Sequence, residues 1–366
     1  MKRNIKKIKY ILVFLLIDCI FIFQIHAQTK FTDNLNVMVN YHSGFILPEY
    51  TFLNYITQDY VQSIDVCLFK ETYGKNVWEQ LYNYPEYGIS FFYSTLGNDK
   101  ILGREMALTY FFKTNLISKK RFHFYNRTGI GIGYVNRKFD FNTNYLNVAI
   151  SSNFNIHFNL RLGINYSISN KIDLNTGVSF DHFSNANTSE PNLGLNYLTA
   201  FGGLSYRIGR KTERLILKTE PHIRKNNYEI FASIGGKHTR ELSTEYFGTS
   251  SVSFEITREY FRAFYLGTGV DFFYDSSIKS QLQSEGKQYK KGNDFQSGIH
   301  LSQEFVYNKL SLIIHEGIYF YQVNQKNIYN RAIINYRLTD HLSMRLSMKS
   351  HLNILDYPEL GFGVKF

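Results

Sequence analysis

One stretch of the chain gathers side chains that can do chemistry together: His182, Ser184, Asn185, Asn187, Glu190, Asn192 and Asn196, interleaved with Ala186, Pro191 and Gly194. A serine hydroxyl is a weak nucleophile until a base within hydrogen-bond reach takes its proton, and histidine is the usual base. On a strand, residues two apart share a face with Cα atoms about 7 Å from each other, so the His182 imidazole reaches the Ser184 hydroxyl. Asn196 continues the same even-numbered series. It stands beside the pair if its strand is the hairpin neighbour, where its amide can hold the ring. Nucleophile, base and orienting group form the arrangement of acyl transfer.

The strands that carry these residues can be read from their alternation. From Lys171 to Phe180 the apolar face is Ile172, Leu174, Val178 and Phe180, opposed by Asp173, Asn175, Gly177 and Ser179. From His157 to Ile168 the apolar set is Phe158, Leu160, Leu162, Ile164, Tyr166 and Ile168, opposed by Asn159, Arg161, Gly163 and Asn165. Alternation sustained over about ten residues matches a strand crossing a bilayer obliquely. Ser184, His182 and Asn196 therefore sit at one end of an apolar face. Polar groups facing lipid are costly unless they lie at the interface or have a use. A site so placed meets the ester bonds of a membrane lipid.

Composition supports strands rather than helices as the spanning element. Aromatic residues make up 17% of the chain, with 32 Phe and 29 Tyr against the single Trp78, and there are only 5 prolines. Mean hydropathy is −0.26. A helical membrane protein carries runs of about 20 apolar residues, and none follows the N-terminal segment. An aromatic-rich chain of moderate hydropathy fits a transmembrane barrel with aromatic girdles. The chain ends in an alternating strand from Leu360 to a terminal Phe366, similar to the signal that outer-membrane barrels present to their insertion machinery, an expected partner.

At the N-terminus, Lys2, Arg3, Lys6, Lys7 and Lys9 precede an apolar run from Tyr10 to Phe23, and Ala27 stands at a cleavage position. Residues 1–27 are thus expected to be a secretory signal peptide. A lipoprotein reading of Cys19 is disfavoured by Asp18 before it. The mature chain then carries 36 basic and 29 acidic residues and one cysteine, Cys67, which excludes an intrachain disulfide. A modest basic excess on an exported chain points to anionic lipid head groups, not nucleic acid. The eleven histidines show no metal-ligand spacing, and no cofactor is expected.

Roughly sixteen strands are expected, in two related halves. Gly88–Tyr93 echoes Gly269–Tyr274, Phe124–Tyr134 echoes Ile313–Tyr321, and Ile164–Tyr166 with Ile172 echoes Ile334–Tyr336 with Leu342. Phe201–Ile208 and Gly361–Phe366 close the two sets. Order and spacing are kept, which makes an old duplication plausible. The halves divide as 28–209, carrying the site, a basic connector at 210–227, and 228–366, read as scaffold. A transmembrane antiparallel β-barrel follows, with one large barrel slightly preferred over two eight-stranded ones. Gly129, Gly131 and Gly133 alternate on one strand face and suit a crowded wall rather than a nucleotide loop. His42, Ser43 and Pro48 read equally as a second functional loop or a turn at a barrel rim.

The stretch around Ser184 resembles the outer-membrane lipid A 3-O-deacylases, the PagL-like family, whose pattern runs His-x-Ser-Asn-Ala, then Pro-Asn-x-Gly, then an acidic residue. The matching positions are His182, Ser184, Asn185, Ala186, Pro191, Asn192 and Gly194. Family members are eight-stranded barrels that hydrolyse an acyl ester of lipid A. The resemblance implies Ser184 as nucleophile and His182 as general base. It also implies Asn192, with backbone N–H groups near Asn187 and with Asn185, on the oxyanion-stabilising and substrate-positioning side. The expected partners are lipid A, or lipopolysaccharide, and membrane lipids of a Gram-negative outer membrane. Two positions depart from the pattern. Asn196 stands where the family has Glu, which removes the charge that would stabilise an imidazolium unless another acid, such as Glu190, serves. Asn187 replaces a Gly, a change compatible with a left-handed backbone. The second half holds His351 and Pro358 at the repeat-equivalent place but no serine. The alternative from another class is a non-catalytic barrel, a channel or surface-binding protein, lined by inward polar residues such as Arg161 and Asp173.

Overall fold

A computed structural model describes residues 31–48, 51–186, 188–218, 225–239, 245–261, 263–323, 327–351 and 354–366. The proposed signal peptide and Asn187 lie outside the described residues. Among those described, no helix is long and apolar enough to cross a membrane.

Sixteen antiparallel strands form two closed eight-stranded barrels. The first comprises β1 (Leu35–Leu47), β2 (Val61–Glu71), β3 (Glu86–Thr95), β4 (Arg104–Lys119), β5 (Phe122–Val135), β6 (Phe154–Ser167), β7 (Ile172–Ser184) and β8 (Leu195–Arg207). The second comprises β9 (Asn226–His238), β10 (Tyr246–Phe261), β11 (Phe264–Asp275), β12 (Phe295–Tyr307), β13 (Leu310–Tyr321), β14 (Ile328–Arg337), β15 (Leu342–His351) and β16 (Ile354–Lys365). The preference for one large barrel is therefore corrected. β8 turns back onto β1, with Leu47 opposite Asn196 and Asn36 opposite Arg207, and β16 closes onto β9. Backbone N–H and C=O groups facing lipid must be paired, and two small closures meet that demand as fully as one large one. The sequence echoes fall on strands of equal rank in each barrel: β3 with β11, β5 with β13, β6 with β14, β7 with β15 and β8 with β16.

Faces follow the alternation. In β7, Asn175, Ser179 and Asp181 are buried inside the barrel, while Ile172, Leu174 and Val178 are exposed on its outer wall. This inversion, polar within and apolar without, is what a lipid solvent selects. An eight-stranded barrel has an interior just wide enough to be filled by side chains, and this one is filled. Arg127 donates to Asp65 at 3.0 Å and Arg161 donates to the same carboxylate. His157 lies between Glu105 (2.6 Å) and Asp181 (3.0 Å), and Tyr197 donates to Glu105 at 2.8 Å. His42, far from any rim loop, lies inside β1 against the rings of Phe92 and Phe201. Arg161 is thus locked in an ion pair rather than lining a water path.

Asp65 is the hub of that interior, also accepting from Ser90 and Cys67. Asp65→Ala leaves two buried guanidiniums without their carboxylate and is expected to cost about 3–5 kcal/mol. The readout is the temperature at which the folded, fast-migrating gel form is lost. An unchanged temperature would show that the network contributes nothing.

One end of the first barrel carries connections at 48–60, 96–103, 136–153 and 185–194, and the other has tight turns at 120–121 and 168–171 beside one longer connection at 72–85. Under the connections of the first end lies an apolar core of Ile46, Leu53, Phe92, Leu102, Phe183 and Leu195 with their neighbours. At the opposite end the connector runs along the first barrel, with Thr212 N–H donating to Asn34 at 2.7 Å and Leu215 N–H to the Tyr73 carbonyl at 2.7 Å. There the barrels also touch: the rings of Tyr82 and Tyr307 lie 4.3 Å apart, and the Tyr82 hydroxyl donates to the Ala263 carbonyl at 2.8 Å.

Candidate active site

The site stands where β7 leaves the barrel wall and β8 re-enters it. Alternation places Phe183 and Leu195 inward, both fully buried in the apolar core, so their neighbours His182, Ser184 and Asn196 turn outward. Gly133 makes this possible: a Cβ there would come within 2.4 Å of the Phe183 ring. The hairpin register sets His182 directly opposite Asn196. On its other side His182 pairs with Phe158 of β6, and barrel closure sets Leu47 of β1 beside Asn196.

Side-chain geometry links the three polar groups into a chain. His182 Nε2 lies 2.9 Å from Ser184 Oγ, and His182 Nδ1 lies 2.6 Å from Asn196 Oδ1. The amide oxygen can only accept, so Nδ1 carries the proton and Nε2 presents its lone pair to the serine hydroxyl. That tautomer is the one a general base needs. Ser184 and Asn196 are 8% and 7% exposed, a shelter that keeps bulk water from competing for their hydrogen bonds.

The connection after Ser184 is fixed by its own polar side chains. Asn185 spends its amide on the loop, donating to Ser151 Oγ (3.0 Å) and the Ser189 carbonyl (2.8 Å) and accepting from Thr188 N–H (3.1 Å). Asn192 Oδ1 accepts the Asn185 backbone N–H at 3.0 Å. Glu190 is exposed and accepts the Asn192 N–H at 3.2 Å, while Asn196 occupies the Nδ1 side of the imidazole. Ala186 takes a left-handed φ of 54°, next to the position where the sequence suggested such a backbone.

Sequence reasoning missed the support from the 136–153 connection. Ala149 and Ile150 are buried beneath the site, the Ala149 carbonyl accepts the Gly194 N–H at 3.0 Å, and Ser151 holds Asn185. The available signal was the length of that connection, since long loops on a rigid barrel commonly carry function.

Gly194 has φ +75°, and a Cβ there would press on His182 Cε1 at 3.2 Å. Gly194→Ala is expected to cost about 1 kcal/mol in stability. Activity should fall roughly tenfold or more, because a displaced imidazole loses its line to the serine. The check is kcat on micellar lipid against the gel-shift temperature. Full activity would show that the imidazole has room to move.

A second cluster lies in the other barrel. Glu255, His300 and His315 bring potential ligand atoms within 4.8 Å of one another, although their positions far apart in sequence gave no metal-ligand motif. His351 contacts Asp356 at 3.1 Å, and Pro358 lies within β16 opposite Met348.

Residues 68–206 match the lipid A 3-O-deacylase (PagL) family, and residues 226–366 match the acyloxyacyl hydrolase C-terminal domain. No curated protein matches the chain. Among solved structures, Neisserial surface protein A is 9% identical with a TM-score of 0.34, over 48% of this chain and 98% of that one. The Acinetobacter baumannii outer membrane protein Omp33 is 8% identical with a TM-score of 0.17, over 90% and 98%.

Proposed function

The chain belongs to the lipid A 3-O-deacylase and acyloxyacyl hydrolase family, and from that premise we propose that it is an outer-membrane serine esterase that removes an ester-linked acyl chain from lipid A. The observation that carries the reading is the unbroken relay from Ser184 Oγ through the His182 ring to Asn196 Oδ1.

In the proposed reaction His182 Nε2 takes the Ser184 proton as Oγ attacks the ester carbonyl. The tetrahedral oxyanion is met by the NH2 end of the Asn192 amide and by loop N–H groups near Asn187. Asn185 acts at one remove, holding that loop in place. Collapse expels the sugar alkoxide, which takes the proton from His182, and leaves the acyl group on Ser184. Water, deprotonated by the same nitrogen, then releases the free fatty acid and restores the hydroxyl.

Position supports the substrate. Below the relay the outer wall presents Phe158, Leu160, Phe180, Leu198 and Val178, an apolar strip on which an acyl chain can lie while its ester reaches Ser184. Short turns face the periplasm in outer-membrane barrels and longer loops face outward. The relay, at the long-loop end, then sits at the outer leaflet, where lipid A resides. A signal peptide at 1–27 and insertion through a C-terminal signal ending at Phe366 complete this localisation. Ion pairs across the interior of the first barrel, Arg127 and Arg161 with Asp65 and His157 with Asp181, speak against a channel through that barrel.

The test is purified, refolded protein in mixed micelles with lipid A or with a diacyl phospholipid, followed by fatty-acid release. Hydroxy fatty acid from lipid A supports the assignment. Release from phospholipid alone would retain the esterase and reject the substrate.

A further inference from the structure

We propose that the second barrel holds a divalent transition-metal ion of the zinc class, bound by Glu255, His300 and His315 in its interior. These residues come from β10, β12 and β13 and lie near the middle of each strand, well away from Ser184. All three are buried, and their ligand atoms lie within 4.8 Å of one another.

Two of the three ligands are oriented from behind. His300 Nδ1 lies 2.7 Å from Asp271 Oδ2, so Nδ1–H donates to the carboxylate and the Nε2 lone pair faces the cluster. Ser302 donates to Glu255 Oε1 at 2.6 Å, which leaves Oε2 as the ligating oxygen. Gly269, opposite His300, leaves the space that its imidazole fills. Among the described residues, His300 Nε2, both His315 nitrogens and Glu255 Oε2 find no hydrogen-bond partner. His315 Nε2 is 3.4 Å from Glu255 Oε2 without the alignment of a hydrogen bond. Buried polar atoms left in this state are costly, and one cation would satisfy atoms of all three side chains.

Charge balance points the same way. Arg331 pairs with Asp271 (3.3 Å) and Glu359 (2.8 Å), and Arg345 pairs with Glu229 (3.3 Å) and Glu255 (3.6 Å). Glu304 also faces Arg345, and Arg337 and Lys365 also face Glu229, which leaves carboxylates in excess around the cluster. A bound cation offsets that excess. The His300 and His315 rings are stacked 3.8 Å apart with planes 9° from parallel, so one ring turns for both lone pairs to meet a single ion. The first barrel solves the equivalent problem differently. By the echo that aligns Gly129 with Gly317, its Arg127 occupies the place of His315, a fixed cation where the second barrel has a ligand. Two imidazoles with one carboxylate suit zinc-class ions, whereas magnesium and calcium prefer all-oxygen sets.

The test refolds full-length, tag-free protein in detergent with Co2+, removes loosely held ion and records bound metal and visible absorption. One Co2+ per chain, with the d–d bands of a low-coordinate nitrogen-ligated site, is expected, and Zn2+ should displace it. His300→Gln and Glu255→Gln should weaken binding at least a hundredfold, and Ser302→Ala roughly tenfold. The wild-type spectrum stands alone if a variant does not fold, as judged by heat-modifiable migration. Folded wild type that holds no Co2+, or binding that persists in folded His300→Gln, overturns the proposal.

Discussion

Ser184→Ala is expected to lower lipid A deacylation by roughly 10^4-fold or more while the barrel folds normally, because it removes the nucleophile of the proposed reaction. Ser184 is the last residue of β7, on the face opposite the inward Phe183, and the change removes a single oxygen, so the substitution has little to destabilise. The expected readouts are loss of fatty-acid release, loss of labelling by a serine-directed phosphonate, and an unchanged gel-shift temperature. His182→Gln should cost nearly as much, and the double variant little more than either alone, since the two act as a unit. Additive losses would mean that serine and histidine work separately.

Asn196 carries the second large effect. Its oxygen fixes the His182 tautomer at 2.6 Å, but an amide brings no charge to stabilise the imidazolium that forms as Ser184 attacks. Asn196→Leu removes the orienting acceptor and is expected to cost roughly 100-fold or more in kcat. Asn196→Glu restores a carboxylate beside a ring already in place. It should raise kcat roughly tenfold, equivalent to about 1.4 kcal/mol, once the carboxylate's own desolvation is offset. A fall in kcat with Glu would show that the pocket is built around the neutral amide. Indifference to Leu would remove Asn196 from the relay.

The site was legible because it depends on short-range rules. Period-two alternation put His182, Ser184 and Asn196 on one face, and a hairpin placed His182 opposite Asn196, as the register has it. Inward Asn159, Arg161 and Asn175 followed from the same rule. What escaped was set at long range. Strand alternation is identical in one large barrel or two small ones, and the choice rests on β8 meeting β1, a pairing without a local signature. That closure also decides that Leu47 borders Asn196, so the error in barrel count hid part of the site's wall. The Glu255–His300–His315 cluster escaped for a related reason: His300 and His315 meet across the β12–β13 hairpin, but Glu255 joins them from β10 across the barrel interior, which no local pattern marks. His42 was misplaced because a short polar pair near a proline looks like a rim, whereas the strand carries it into the interior.

The most direct test of the account is mass spectrometry of lipid A from outer membranes of cells expressing either the wild type or Ser184→Ala, at matched levels of folded barrel. The account predicts that the wild type alone yields lipid A lacking one ester-linked acyl chain, with the freed acid recovered. Lipid A that is unchanged by the wild type, or equally shortened by Ser184→Ala, would contradict it.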